Sequence, residues 1–203
     1  MNLRSKLPWV VGIAAFVAWG FWYGQRNSCD SFPDWQSSHY VLPYPVDSSY
    51  YVSQSNCTNG GHQGPYKYSY DFVMPVGATV ISARAGVVAD VRVKFRDGQH
   101  ALSEANWVKI RHADGTITAY SHLTEHGALV KIGDRVAAGQ PIGLSGNTGD
   151  TGGLPHLHFH LSPCPEPVEC GTLPVTFRNA GPNPSGLEGK RHYRALPYGK
   201  NDA

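Results

Sequence analysis

The sequence predicts an all-β fold: a small antiparallel β-sheet or β-sandwich domain, with an N-terminal transmembrane helix in front of it. Three observations carry this expectation. The 203 residues include 23 glycines, 15 prolines and 11 tyrosines, a mix suited to many short strands joined by tight turns. Several segments alternate apolar and polar side chains as strands do, and no stretch sustains the helical period. An apolar run near the N-terminus is a separate object. The length suits one globular domain with appendages.

Taken in chain order, residues 1–27 read as a cytoplasmic stub and membrane anchor. Arg4 and Lys6 precede a 17-residue apolar run, residues 7–23, which is at the short end of a membrane span. Trp9 stands at one end and Trp19, Trp22 and Tyr23 at the other, where amphipathic rings favour the headgroup level. The basic flank keeps the N-terminus in the cytoplasm, so the domain lies on the periplasmic or extracellular side of the cytoplasmic membrane. The rival reading is a cleaved signal peptide ending at Ala18-Trp19-Gly20, with Phe21 as the new N-terminus. Both readings export the rest of the chain.

Export makes the four cysteines interpretable as two disulfides. None form a C-x-x-C pair, which argues against a thiolate metal site. Cys164 and Cys170 bracket a short stiff loop and are the favoured pair, leaving Cys29 with Cys57; four cysteines allow three connectivities. The net charge is +2 with basic residues scattered, so no nucleic-acid-binding patch is present.

Residues 28–48, rich in Ser, Pro and aromatics, read as a linker, and residues 49–180 as the folded domain. Ala78-Thr-Val-Ile-Ser is a β-rich run. From Gly86, alternation places Val87, Ala89, Val91, Val93 and Phe95 on one face. Trp107-Val-Lys-Ile-Arg leads through Ala113-Asp-Gly115, a hairpin signal, into Thr116-Ile-Thr-Ala-Tyr120. Leu173-Pro-Val-Thr-Phe177 reads as one last strand. Residues 181–203, opening on Gly-Pro-Asn-Pro-Ser-Gly, read as a loose tail.

Ten histidines are many for this length. In His156-Leu-His158-Phe-His160-Leu161, strand alternation sends the three imidazoles to one face and Leu157, Phe159 and Leu161 to the core. Imidazoles two residues apart can share a metal, or set a ligand beside a catalytic base. The Gly146-Asn-Thr-Gly-Asp-Thr-Gly-Gly run before them suits close approach of backbone to a ligand, or a flexible loop. Asp71 sits between aromatics, where a carboxylate is costly unless paired or metal-bound. His62 stands nine residues before Asp71, and His122 follows a strand in Tyr120-Ser-His122-Leu. Zn²⁺ accepts imidazole nitrogen and carboxylate oxygen, and a catalytic site keeps three protein ligands and an open position for water. Two His and one Asp as ligands, with two metal-free imidazoles, account for all five residues; His160 lies on the same metal-facing side of its strand, where a supporting role behind the ligands stays open.

These pieces resemble the LytM-type (M23) zinc metallopeptidases: a His and an Asp, then Tyr-x-His-Leu, then His-Leu-His-Phe after a Gly-rich loop. Asp71-Phe-x-Met-Pro-Val-Gly-Ala-Thr-Val and Gly133-Asp-Arg-Val-Ala-Ala-Gly-Gln-Pro-Ile-Gly also resemble family segments. The similarity spans about residues 60–162. It implies that His62, Asp71 and His158 bind one Zn²⁺ per chain, that His122 and His156 are the catalytic pair, and that the activity is peptide-bond hydrolysis in cell-wall peptidoglycan. The family commonly places its first His four residues before the Asp, where Lys67 stands here; the other upstream histidine is His39. An acidic residue is common where His160 stands. A catalytically silent relative that activates another wall hydrolase would lack part of the set of five, and all five are present. A lipoyl- or biotinyl-type carrier needs a Lys at a hairpin tip, and no Met-Lys or Asp-Lys pair occurs.

Overall fold

In the computed structural model, the structure describes residues 29, 31–58 and 60–199. The expected anchor at residues 7–23 lies outside them; among the described residues no helix is long and apolar enough to cross a membrane. The strands are β1 (Ser49–Gln54), β2 (Ser69–Val73), β3 (Thr79–Ile81), β4 (Gly86–Arg92), β5 (Trp107–Arg111), β6 (Ile117–Ser121), β7 (Leu123–Ala128), β8 (Arg135–Val136), β9 (Pro141–Ser145), β10 (His156–Ser162) and β11 (Arg191–Arg194). A single turn of helix, α1 (Pro167–Cys170), follows β10. Eight strands form one sheet in the order β11-β1-β2-β10-β6-β5-β4-β8, and β3-β9-β7 form a second. Every strand pairing is antiparallel.

One buried cluster joins the two sheets. Tyr70 and Phe72 of β2, Leu157 and Phe159 of β10, and Tyr120 of β6 pack with Val80, Ile142 and Leu123 of the small sheet. These residues alternate with polar ones along the central strands, so the opposite face of β2 and β10 carries Asp71, His156, His158 and His160. The sheet therefore sorts core from chemistry by period two.

β4 departs from the expected alternation. Val88 pairs with Ile110 and Asp90 with Lys109, so one residue is extra between them, a β-bulge. The bulge shifts the phase: Val88 enters the core and Val91 packs against it, while Val87 and Ala89 are half-buried. β4 ends at Arg92, short of Val93 and Phe95. The segment expected as a last strand makes only an isolated bridge, Leu161 to Leu173. Val175 and Phe177 are nevertheless fully buried, as loop residues filling the core.

Both flanks are more ordered than their composition suggests. In the expected linker, Val41, Leu42 and Tyr44 have no exposed surface, and Val41 N–H donates to the Ala83 carbonyl. The expected loose tail is a packed strap. β11 pairs with β1 from Ser49–Arg194 to Val52–Arg191, and Leu187 and Ala195 are buried. The strap is held at Tyr70, whose hydroxyl accepts the Leu187 N–H at 3.2 Å. Gly186 makes this passage possible: its φ is +76°, and a Cβ there would fall 2.4 Å from the Tyr70 hydroxyl. Gly and Pro read as looseness in the sequence, but here they supply tight corners. Cys29 is joined to Cys57 and Cys164 to Cys170, the pairing expected from the short loop.

A packed strap has a measurable stability. Leu187→Ala should lower the unfolding free energy by about 2–5 kcal/mol, the cost of emptying a buried leucine site. Urea titration followed by tryptophan fluorescence checks this; a loose tail would leave the midpoint unmoved.

Candidate metal centre

Asp71 and His158 face each other across the β2–β10 pair, and His158 also faces Ser121 of β6. Directly opposed residues of an antiparallel pair bring their side chains within contact. His156 is one step along the same face. His62 arrives from the loop between β1 and β2. His122 lies between β6 and β7 with φ +65°, the left-handed region, where the chain leaves the large sheet for the small one. That conformation is uncommon for a side-chain-bearing residue and costs on the order of 1–3 kcal/mol. It breaks strand alternation and turns the ring towards His156, at 4.7 Å between centroids.

The buried hydrogen bonds fix how each imidazole carries its proton. His62 Nδ1 lies 2.9 Å from the Ser55 carbonyl, His122 Nδ1 2.6 Å from the Thr148 carbonyl, and His156 Nδ1 2.8 Å from the Leu154 carbonyl. A carbonyl only accepts, so each Nδ1 is the donor and each neutral ring keeps its Nε2 lone pair. Nε2 of His62 is 3.2 Å from Asp71 Oδ1, and Nε2 of His156 is 3.6 Å from the same oxygen. His158 is turned the other way: its Nδ1 is 2.9 Å from Asp71 Oδ1 and its Nε2 is 3.1 Å from His160 Nδ1.

Electrostatics follow from burial and these contacts. Burial raises the Asp71 carboxyl, but hydrogen bonds and charge from His158, His62 and His156 outweigh it and hold the group well below the usual carboxylate range. Asp71 is therefore an anion at neutral pH. Burial, together with His156 and His158, pushes His122 down to about 3. Burial also lowers His158, against the opposing pull of Asp71, and lowers His160 strongly. These rings are neutral at pH 7, the state in which imidazole acts as a ligand or a proton acceptor.

One ligand atom each from His62, Asp71 and His158 lies within 4.8 Å of the others. The arrangement suits a cation. The His62 Nε2 is buried without an aligned hydrogen-bond donor, and it points at an anionic oxygen 3.2 Å away. A ring nitrogen and an anionic oxygen so placed call for a positive charge between them, a proton or a metal ion. Two imidazoles and one carboxylate also make a donor set that Zn²⁺ accepts, with a position left open.

All five residues singled out in the sequence thus meet at one place. His39 is exposed, and His112 is tied to the Ala85 carbonyl and Thr118 on the far side of the sheet. The Gly-rich run approaches the protein's own backbone. Gly149, at φ +76°, packs on Ala105, where a Cβ would lie 2.6 Å from that residue's Cβ, and this sets the Thr148 carbonyl on His122. The carbonyls of Ser55, Thr148 and Leu154 carry no side-chain signature and could not be read in the sequence. Tyr66 was likewise missed; its ring stands edge-on to His158 and His160 at 6.2 and 5.6 Å.

The model of Peptidase family M23 matches residues 65–170, just over half of the chain. That match covers Asp71, His122, His156 and His158; His62 stands before it and is placed by geometry. The chain is 39% identical over 144 residues to the peptidoglycan DD-endopeptidase ShyA of Vibrio cholerae, covering 68% of this chain and 31% of the relative. It is 34% identical over 138 residues to an uncharacterized metalloprotease of Buchnera aphidicola, covering 66% of this chain and 33% of the relative. It is 31% identical over 145 residues to the glycyl-glycine endopeptidase ALE-1 of Staphylococcus capitis, covering 70% and 36%. It spans about a third of the length of each of these relatives. Among solved structures, the catalytic domain of lysostaphin from Staphylococcus simulans aligns with a TM-score of 0.45 and 26% identity, over 62% of this chain and 87% of that one. By the extent of the family match and the placement of its histidines and aspartate, the chain belongs to peptidase family M23.

Proposed function

We propose that this chain is a zinc-dependent endopeptidase that hydrolyses peptide bonds in cell-wall peptidoglycan from a membrane-anchored position outside the cytoplasm. The observation that carries the reading is the buried set His62, Asp71 and His158, with the Nε2 atoms of His122 and His156 left clear of their backbone carbonyls beside it. Relatives named as a peptidoglycan DD-endopeptidase and a glycyl-glycine endopeptidase support the substrate class.

His62 Nε2, an Asp71 oxygen and His158 Nδ1 would hold the ion. When bound, zinc supplies a Lewis acid that makes water nucleophilic at neutral pH and polarises a carbonyl. The chain's own residues do the rest. His122 and His156 offer Nε2 as the proton acceptor, and their Nδ1–H bonds to backbone carbonyls keep that atom aimed at the site. Water oxygen bonds to the scissile carbonyl carbon while its proton passes to an imidazole. The protonated ring stabilises the oxyanion, then returns the proton to the leaving amine as the C–N bond breaks. The basic flank and aromatic-bounded run at residues 7–23 support the anchor.

The exported domain should carry about one zinc per chain, held by three protein ligands. His158→Ala should lose both zinc and hydrolysis. His122→Ala and His156→Ala should keep zinc while losing activity on the order of a hundredfold or more, the cost of removing a general base or an oxyanion donor. Metal analysis and digestion of purified peptidoglycan, with new amino termini identified by mass spectrometry, test all three. Zinc-free protein that refuses the ion would point to a silent activator of another hydrolase.

Fractionation and N-terminal sequencing test the anchor. The chain should stay in the membrane fraction and retain residues 7–23; a soluble form beginning near Phe21 would show cleavage and leave the enzyme reading standing.

A further inference from the structure

Each ring in the centre must present one particular nitrogen, and the four rings do not achieve this in the same way. His62, His122 and His156 are each held by a backbone carbonyl at Nδ1, so the fold itself selects the tautomer with a free Nε2. His158 has no such carbonyl. Among the described residues its hydrogen-bond contacts are Asp71 at Nδ1 and His160 at Nε2.

That difference matters because the nitrogen of His158 facing the donor set is Nδ1, 2.9 Å from Asp71 Oδ1. If Nδ1 carries the proton, it donates to Asp71 and has no lone pair for an ion. If Nε2 carries the proton, Nδ1 is free, but a buried N–H then needs an acceptor. The acceptor in place is Nδ1 of His160, 3.1 Å away. The ring of His160 is held where this contact needs it. Its residue is 5% exposed, its cross-strand neighbours are the small residues Ala119 and Ser69, and the Tyr66 ring stands edge-on to it at 5.6 Å.

We propose that His160 is a positioning residue for the metal centre: its Nδ1 accepts the His158 Nε2–H, and this fixes the His158 tautomer whose Nδ1 is free to ligate. The inference rests on the reading of His62, Asp71 and His158 as the zinc site. It gives a role to the one imidazole on the β10 site face that the set of five leaves over. Partners of this kind, which accept the far N–H of a ligating histidine, orient the ring and raise its basicity.

The test uses the full-length chain in detergent, with zinc affinity measured by competition against a chromogenic chelator. His160→Leu keeps bulk and removes the acceptor; His160→Gln keeps an amide oxygen that can accept. Affinity in His160→Leu should fall about 10–100-fold, and His160→Gln should recover most of the loss. In zinc-loaded wild-type protein with ¹⁵N-labelled histidine, the His158 resonances should report a protonated Nε2. Failure of the wild type to bind zinc would defeat the underlying site reading. With wild-type binding intact, three results overturn the inference alone: undiminished affinity in His160→Leu, equal losses in the leucine and glutamine variants, or a protonated Nδ1 on His158. Should the leucine variant fail to fold, as judged by its thermal melt, the wild-type NMR measurement decides the question by itself.

Discussion

A carboxylate buried near the middle of an eight-stranded sheet is costly in free energy unless positive charge or hydrogen-bond donors meet it. Asp71 is such a group: its strand, β2, lies between β1 and β10, and the residues on either side of it, Tyr70 and Phe72, are fully buried in the core. The rest of the site is built around that oxygen. His158 faces it across the ladder, His62 reaches it from a loop, and His156 stands 3.6 Å away. A one-residue slip of β10 would point Leu157 and Phe159 at Asp71 and drive the imidazoles into the apolar cluster. The aromatic packing of the core face therefore guards the chemistry of the opposite face: Phe159 against Tyr120 and Phe177 sets the register that puts His158 opposite Asp71.

Loops finish what the register begins, and each is tied down at a distance. The left-handed turn at His122 carries the chain from one sheet to the other, and the Gly-rich run packs on Ala105 to deliver the Thr148 carbonyl. The Ser55 carbonyl that orients His62 lies two residues before Cys57, which is joined to Cys29. Ser55 also donates its hydroxyl to the Leu187 carbonyl, so the C-terminal strap and the loop bearing His62 share an anchor. Stability of the strap and geometry of the site are in this way the same problem. Looseness at either end would be felt at His62, the residue of the cluster with the least sheet around it.

How far this was legible in the sequence follows from what side chains can and cannot announce. Period-two alternation at residues 156–161 exposes both the core face and the site face of β10, because the residue types on the two faces differ so sharply. Asp71 is legible for the same reason, as a charge between aromatics. The bulge in β4 is not, since Val87, Val88, Ala89 and Val91 are all apolar and any phase looks acceptable. The strap at 181–199 was misread because Gly, Pro and Asn mark tight corners and mobile chain alike; what separates them is the Tyr70 hydroxyl beneath Gly186, a contact over a hundred residues distant in sequence. Backbone carbonyls are the deepest omission. Three of the four rings in the centre are set by them, and no residue type at positions 55, 148 or 154 predicts that.

The remaining ring shows why a side chain can serve where a carbonyl cannot. β10 is hydrogen-bonded on both edges, to β2 and β6, so its neighbours' carbonyls are committed to the ladder. An acceptor for His158 Nε2 must then come from the same face of the sheet, and the position two residues along is the natural source. A carboxylate there, the acidic type common in the family, would accept the proton strongly and add a second negative charge beside Asp71. A neutral imidazole accepts the same N–H without the desolvation cost of a further charge. Histidine at 160 is thus a chemically consistent answer to a constraint that the sheet itself imposes: the centre needs an acceptor, and the ladder has none to spare.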